Sequence, residues 1–369
     1  METVSVAFCF NDAYCTMASG AISSLIRYST AQYHYDIYIV HDDISAQNQY
    51  LIKTLATTGN INITFVKIEF SRYTTADISY SRHSKYTFAR LFFHKIFSKI
   101  NKILYLDSDL IVTSDIAELF NQNLEGCAVG ACLDYVAELG SEKLKKTRLT
   151  PLQRIGFEQY EHHYDYFSNY LNLSDNCINT YFNAGVLLMD LKKAGSVFDM
   201  KSQELLKRRY IMVDQDILNI IFKDDKKILN QKFNVFDTNS IKYINETGTL
   251  PVIIHYNGPI KPTSSMTRPM AYRYWEEVSK TPYYYPAIEA FITKYIAQQK
   301  GVMSDSQVIE DLFYNLKRFK KLAKRRRFIR MIIKLLVDSK KYKKLKDNPD
   351  GFFRESKSMF IRFLGRYYD

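Results

Sequence analysis

Lys102-Ile103-Leu104-Tyr105-Leu106-Asp107-Ser108-Asp109-Leu110-Ile111-Val112 is the stretch that decides how this chain is read. The apolar run 103–106 is too short for a core helix and suits a buried central strand of a parallel sheet, so Asp107 and Asp109 fall at the strand's carboxyl end. Open α/β sheets bind their ligands at that end. Two carboxylates spaced by two residues can share one hard divalent ion, and magnesium or manganese keeps open positions for the oxygens of a substrate diphosphate. Most isolated D-x-D sequences are only polar strand-to-loop transitions, so the metal reading depends on partners elsewhere in the chain.

The surrounding pattern predicts an α/β protein with a doubly wound, mostly parallel sheet. A strand at 4–10 breaks at Asn11-Asp12-Ala13-Tyr14 and gives way to a helix over 17–26. Strand, helix and strand then follow at 35–40, 46–55 and 61–68, the alternation that places helices on the faces of a parallel sheet. Residues 85–97 read as an amphipathic helix leading into the D-x-D strand, with Arg90 inside its apolar stretch, either snorkelling to the surface or facing an anionic site. A short helix is expected at 115–120 and a strand at 127–133, closed by Asp134. No G-x-G-x-x-G follows the first strand, which argues against a dinucleotide-dependent hydride transfer.

At 369 residues, 46% hydrophobic and 15% aromatic, the chain has ample material for a sizeable core. No run of about 18 apolar residues occurs, and the first residues lack a signal-peptide pattern, so a cytoplasmic protein is expected. Five cysteines without a C-x-x-C pair fit reduced thiols. The net charge of +12 is localised: residues 317–346 hold 15 Lys and Arg against one acid, Asp338, a local +14 that leaves about −2 for the rest.

Further along, 135–177 loses regular periodicity and is rich in Tyr and Phe, which reads either as an acceptor-binding lid or as an aromatic cluster packing its own loop. The strand 181–189 contains Asn183 and an Ala184-Gly185 step that lets something approach the backbone closely. Asp214-Gln215-Asp216 opens a helix; one of the three is expected to cap it, which leaves the others for another task. The strand ending at His255 runs into Tyr256-Asn257-Gly258-Pro259-Ile260-Lys261-Pro262. His255 can complete a three-ligand metal site with Asp107 and Asp109, and Lys261 can reach a phosphate as a point charge. Asn11 and Tyr14 either hold a base by hydrogen bonding and stacking or simply form a turn.

Five motifs in order, namely the opening strand with its Tyr loop, Phe88-Ala89-Arg90, Leu104 to Asp109, Phe182-Asn183-Ala184-Gly185-Val186 with Asp214-Gln215-Asp216, and His255 to Pro262, make the chain resemble the retaining glycosyltransferases of family 8 over about residues 4–285. That group contains glycogenins and bacterial lipopolysaccharide galactosyl- and glucosyltransferases. The resemblance implies a GT-A fold, manganese or magnesium on Asp107, Asp109 and His255, and a UDP-hexose donor. It places the uracil at Tyr14 and Asn11, the diphosphate at Gly258 and Lys261, with Ser108 on the nucleotide side, and the donor sugar among Arg90, Asp134, Asn183, Asp214 and Gln215. Asn11 stands where relatives often carry Asp, and Thr263 where many bacterial members carry Trp.

Retention of configuration admits a covalent intermediate, for which Asp134 and Asp214 are conceivable nucleophiles, or same-face attack by the acceptor. The neutral amide of Gln215 is a poor nucleophile, and same-face attack is the expectation. The expected domains are a catalytic region at 1–285 and a basic helical region at 286–369. Its 312–346 portion, a basic amphipathic stretch, is expected to hold the protein on an anionic membrane, the inner face of the plasma membrane, near a lipid-linked saccharide acceptor. A non-catalytic UDP-sugar-binding module has no need of the metal triad together with Asp214 and Gln215. No nucleic-acid partner is expected, because cations alone suit any polyanion.

Overall fold

A computed structural model of the chain describes residues 1–70 and 85–299. The chain forms two compact units, Met1–Asn257 and Gly258–Asp369. Among the described residues the first unit holds ten strands: β1 (Glu2–Cys9), β2 (Tyr33–His41), β3 (Ile61–Lys67), β4 (Lys102–Leu106), β5 (Leu110–Val112), β6 (Val129–Leu133), β7 (Phe182–Asp190), β8 (Lys226–Ile228), β9 (Val235–Phe236) and β10 (Ile253–His255). Seven of them form one sheet in the order β3-β2-β1-β4-β7-β6-β8, and β5-β10-β9 form a second.

The fold is α/β and its main sheet is mostly parallel, as expected. β1 pairs in parallel with β2 and with β4, β2 with β3, and β6 with β8; β7 alone among these runs antiparallel, to β4 and β6. The central strands are buried along nearly their whole length, Val4 to Cys9 in β1 and Phe182 to Met189 in β7, which requires cover on both faces. Each Val, Leu or Ile so buried contributes about 1.5–3 kcal/mol. From β1 the chain winds outward through β2 to β3 and then returns to the other side of β1 as β4. The order therefore reverses between β1 and β4, the place where such sheets leave a crevice beyond their carboxyl ends.

Two segments differ from the expectation. Residues 85–97 are a 3-10 helix at Lys85–Phe92 followed by one α turn at Phe93–Ile96. Phe88, Ala89, Arg90, Leu91 and Phe92 are all buried, so these five residues are surrounded by protein, while Lys85 and Lys95 toward the two ends are exposed. The 135–177 region is more regular than its sequence pattern. A helix spans Tyr135–Leu144, kinked at Gly140 where φ is 71°, and shorter pieces occur at His163–Asp165, Tyr166–Tyr170 and Asp175–Asn179. Its aromatics pack on one another: Phe157 meets Tyr166 and Tyr170 edge-on, and Tyr160 meets the same two. These ring contacts are those of the self-packing reading of this segment.

In the second unit, helices occupy Ala271–Val278 and Tyr284–Gln299, and the buried Trp275 indole donates to the Pro262 carbonyl at 3.2 Å. The basic stretch 312–346 lies outside the described residues. No helix among the described residues is long and apolar enough to cross a membrane.

Candidate active site

The crevice edge collects its residues because the strand ends converge there. Asn11 and Tyr14 follow β1, Asp107 follows β4 and Asp134 follows β6, while the antiparallel β7 brings its first residues, Asn183 and Gly185, to the same edge. His255 comes from the second sheet. β10 pairs antiparallel with β5 so that His255 faces Leu110, and the Tyr256 N–H donates to the Asp109 carbonyl at 2.9 Å.

Asp107, Asp109 and His255 offer ligand atoms that all lie within 4.8 Å of one another. His255 Nε2 stands 3.3 Å from Asp109 Oδ1 and 3.7 Å from Asp107 Oδ2. His255 and Asp109 are buried, and Asp107, 25% exposed in its side chain, opens the trio to solvent. Behind the ring, His255 Nδ1 is 2.9 Å from Asn234 Oδ1. An imidazole whose far nitrogen is held by an outer partner, with its near nitrogen turned on two carboxylates, is the arrangement by which proteins orient a histidine onto a cation. The residues therefore fit a divalent ion. Gly185 makes the space: a Cβ there would lie 2.3 Å from His255 Cε1 and 2.8 Å from Asp107 Oδ2. The close approach that the Ala-Gly step implied is made by the protein's own His255, Asp107 and Asn183 side chains.

Arg90, 3% exposed, does not snorkel. Its Nη1 is 3.3 Å from Asp107 Oδ1 and donates to the Ala184 carbonyl, its Nε is 3.0 Å from Asp214 Oδ2, and its guanidinium carbon stands 4.4 Å from the centroid of the Tyr105 ring. Burial alone lowers its basicity, but the carboxylates of Asp107 and Asp214 outweigh that and hold it firmly protonated. Asp214 and Gln215 are presented by a helix, Asp214–Ile221, that starts abruptly. The preceding residue, Val213, has φ 49° and ψ −115°, a conformation costly for a β-branched side chain, by about 1–3 kcal/mol. None of the three polar residues is the cap. Asp216 instead accepts the Met212 N–H at 2.7 Å together with the hydroxyls of Tyr166 and Tyr181 at 2.7 and 2.6 Å, and burial pushes its carboxyl up to about 6. It fastens the helix start to β7 and to the aromatic cluster.

Asp134 and Gln215 are joined through Asn183. Asp134 is fully buried, accepts the Val136 N–H at 3.2 Å as the cap of the Tyr135–Leu144 helix, and accepts Asn183 Nδ2 at 3.0 Å; burial raises its carboxyl above the usual range against those hydrogen bonds. Gln215 Oε1 accepts from Asn183 Nδ2 and from the Ala184 N–H at 3.1 and 3.0 Å. Its Nε2 is buried without a hydrogen-bond partner among the described residues, as is the Ser108 Oγ between the two metal-site carboxylates. Buried donors of this kind are costly unless a ligand meets them.

Residues 5–266 match the family model described as glycosyl transferase family 8. The chain belongs to glycosyltransferase family 8. It is 28% identical over 268 residues to a putative glycosyltransferase of Haemophilus influenzae, covering 70% of this chain and 73% of that one. To the lipopolysaccharide 1,2-glucosyltransferase of Escherichia coli K12 it is 25% identical, covering 71% and 73%. Among solved structures it superimposes on the bifunctional glycosyltransferase WbbM (TM-score 0.67, 23% identity, 78% of this chain and 52% of that one) and on an active-site mutant of LgtC (TM-score 0.58, 24% identity, 76% and 96%). The chain thus spans about half the length of WbbM. Both structural likenesses place this glycosyltransferase in the GT-A fold.

Of the residues singled out from the sequence, the fold brings Arg90, Asp107, Ser108, Asp109, Asp134, Asn183, Asp214, Gln215 and His255 to one crevice edge. Asn11 accepts the Tyr14 N–H on its side-chain oxygen at 3.0 Å and so makes the turn that shapes this loop, and Tyr14 is half-buried beside it. Gly258 and Lys261 belong to the second unit. Gly258 has φ 91°, a conformation that favours glycine, and the Lys261 N–H donates to Ser264 Oγ. Asn234 was not foreseen: a single amide between Phe233 and Val235 carries no periodic or motif signal.

Proposed function

We propose that this family 8 glycosyltransferase moves a hexose, galactose or glucose, from a UDP-sugar to a saccharide acceptor on a cell-surface glycan or glycolipid, with retention of configuration and with manganese or magnesium on Asp107, Asp109 and His255. The observation that carries the reading is the convergence of those three ligands, with Nε2 of His255 turned on both carboxylates, at the carboxyl edge where the sheet order reverses. A bound divalent ion supplies charge neutralisation to the departing diphosphate. Similarity to the lipopolysaccharide glucosyltransferase supports a hexose donor and a lipid-linked saccharide acceptor.

On the protein's side, Lys261 and the Gly258 turn hold the diphosphate, Ser108 Oγ meets the nucleotide, and Tyr14 stacks on the uracil with Asn11 shaping its loop. Arg90 holds Asp107 and Asp214 in place and shields their mutual repulsion. The unpartnered Nε2 of Gln215 donates to the donor sugar. Same-face attack is favoured by how the two candidate nucleophiles are engaged: Asp134 is fully buried as a helix cap, and Asp214 is paired with Arg90. The catalytic region extends over 1–285, and 312–346 attaches the protein to the anionic inner face of the plasma membrane, a reading supported by the local charge.

The experiment is incubation with a panel of UDP-sugars with and without manganese, measuring UDP release and the anomeric configuration of the transferred sugar. Metal-dependent release from one UDP-hexose with an α product is expected. Release undiminished by chelator, or an inverted product, overturns the reading.

A further inference from the structure

The geometry points to Asn234 as a positioning residue: we infer that its side-chain amide turns His255 onto the cation and locks the metal site to the amide pair Asn183 and Gln215. This inference rests on the metal-dependent reading above and goes beyond it by naming what sets the ligand and what links it to the sugar side of the crevice.

Which way each amide faces follows from backbone groups that have no choice of role. The Gly185 N–H can only donate, and it lies 2.9 Å from Asn183 Oδ1; the Ala184 N–H can only donate, and it lies 3.0 Å from Gln215 Oε1. Asn183 must therefore point its oxygen at Gly185 and its Nδ2 at Asp134 Oδ2 and Gln215 Oε1. Asn234 meets Asn183 Oδ1 at 2.9 Å, and only its Nδ2 can make that bond. Its own Oδ1 is then left to face His255 Nδ1 at 2.9 Å, so Nδ1 carries the hydrogen and the lone pair of Nε2 faces Asp107 and Asp109. Two backbone N–H groups on β7 thereby dictate the tautomer of a histidine on another sheet.

Asn234 is itself held. Its side chain is fully buried, its N–H donates to the Gln231 carbonyl at 2.9 Å, and its own carbonyl accepts Gln231 Nε2 at 2.9 Å. It directly precedes β9, whose Phe236 sits opposite His255 in the parallel pairing and packs its ring edge-on at 5.8 Å. Ring orientation is thus fixed from the side by Phe236 and from behind by Asn234. An outer partner of this kind is worth about 10- to 100-fold in metal affinity.

The two tasks separate in one substitution. Asn234→Asp keeps an acceptor for His255 Nδ1–H but presents no donor to Asn183 Oδ1, whereas Asn234→Ala removes both. Manganese binding is measured directly, without donor sugar, by the loss of the free-ion electron paramagnetic resonance signal, alongside KM and kcat for UDP-sugar hydrolysis at saturating manganese and thermal unfolding. Asn234→Ala is expected to weaken manganese binding about 10- to 100-fold. Asn234→Asp is expected to bind manganese within about threefold of wild type yet to lose kcat at saturating metal, a split that a purely structural role does not produce. If Asn234→Ala fails to fold, the Asp variant still decides. Wild-type manganese affinity in Asn234→Ala, or a parallel loss of affinity and stability with no kcat effect in Asn234→Asp, overturns the inference. Absence of manganese binding by the wild-type protein refutes the metal reading instead, so the two failures are distinguishable.

Discussion

Replacing Gly185 by alanine tests the metal site without touching a ligand. The added methyl would start 2.3 Å from His255 Cε1, 2.8 Å from Asp107 Oδ2 and 3.0 Å from Asn183 Oδ1, whereas ordinary contact begins at 3.4 Å. Relief requires the imidazole to retreat by roughly 1 Å, and it is backed by Asn234 and flanked by Phe236. A metal site tolerates about 0.2 Å in its ligand distances. A displacement of about 1 Å in a catalytic geometry costs on the order of 100-fold, so manganese affinity and UDP release should both fall by about that factor. Overpacking costs typically 1–3 kcal/mol, so the variant should remain folded with a lower melting temperature. Calorimetric titration with manganese, run beside a thermal melt, reads the two effects separately. Wild-type affinity in a folded Gly185→Ala protein would refute the placement of the ligands around this glycine.

Asp107→Asn and Asp109→Asn should each abolish metal-dependent UDP release while leaving the protein folded, since a carboxylate at a metal site contributes several kcal/mol to transition-state charge stabilisation; circular dichroism and activity measured together check this. Gln215→Ala should keep measurable turnover, because under same-face attack the amide positions charge and forms no bond; a covalent sugar adduct on Gln215, Asp214 or Asp134 found by mass spectrometry during turnover excludes that route. Asp216 binds its proton more tightly folded than unfolded, so its contribution to stability is fully present below about pH 4 and is lost as pH rises through about 6. Asp216→Asn should flatten this fall by about 2 kcal/mol over the window pH 4.5 to 7, read from denaturant midpoints; an unaltered slope contradicts the assignment. A chain ending near residue 300 should stop sedimenting with anionic liposomes yet still hydrolyse UDP-sugar slowly, and binding of the full chain that ignores salt removes the electrostatic part of the attachment.

The reason much of this site is legible in the sequence is physical. A strand covered on both faces must be apolar, so β4 stands out as Ile103 to Leu106, and any carboxylate that follows it stands out in turn. Gly185 is legible for a similar reason, since a glycine in a buried strand marks a close approach. Direction is different: a strand buried on both faces has the same side-chain pattern either way round, so the antiparallel course of β7 is invisible before the fold is known. Residues 88–92 misled because burial on all sides and burial on one face look alike over so few residues. Asn234 was hidden because its role depends on partners at Asn183 and His255 that only tertiary structure brings within reach.

The small sheet also says something about the order in which this protein becomes itself. His255 lies 146 residues after Asp109 in the chain, and β10 is the strand that pairs with both β5 and β9. As the polypeptide emerges from the ribosome, β5 must wait, its edge unpaired, until nearly everything up to Asn257 has been made. The cluster of Asp107, Asp109 and His255 then forms when that long loop closes. Its ligands come together only in chains that have been synthesised past His255, so a prematurely ended product could present Asp107 and Asp109 and still hold no third ligand. In this protein, bringing all three side chains together is a sign that the fold has been finished.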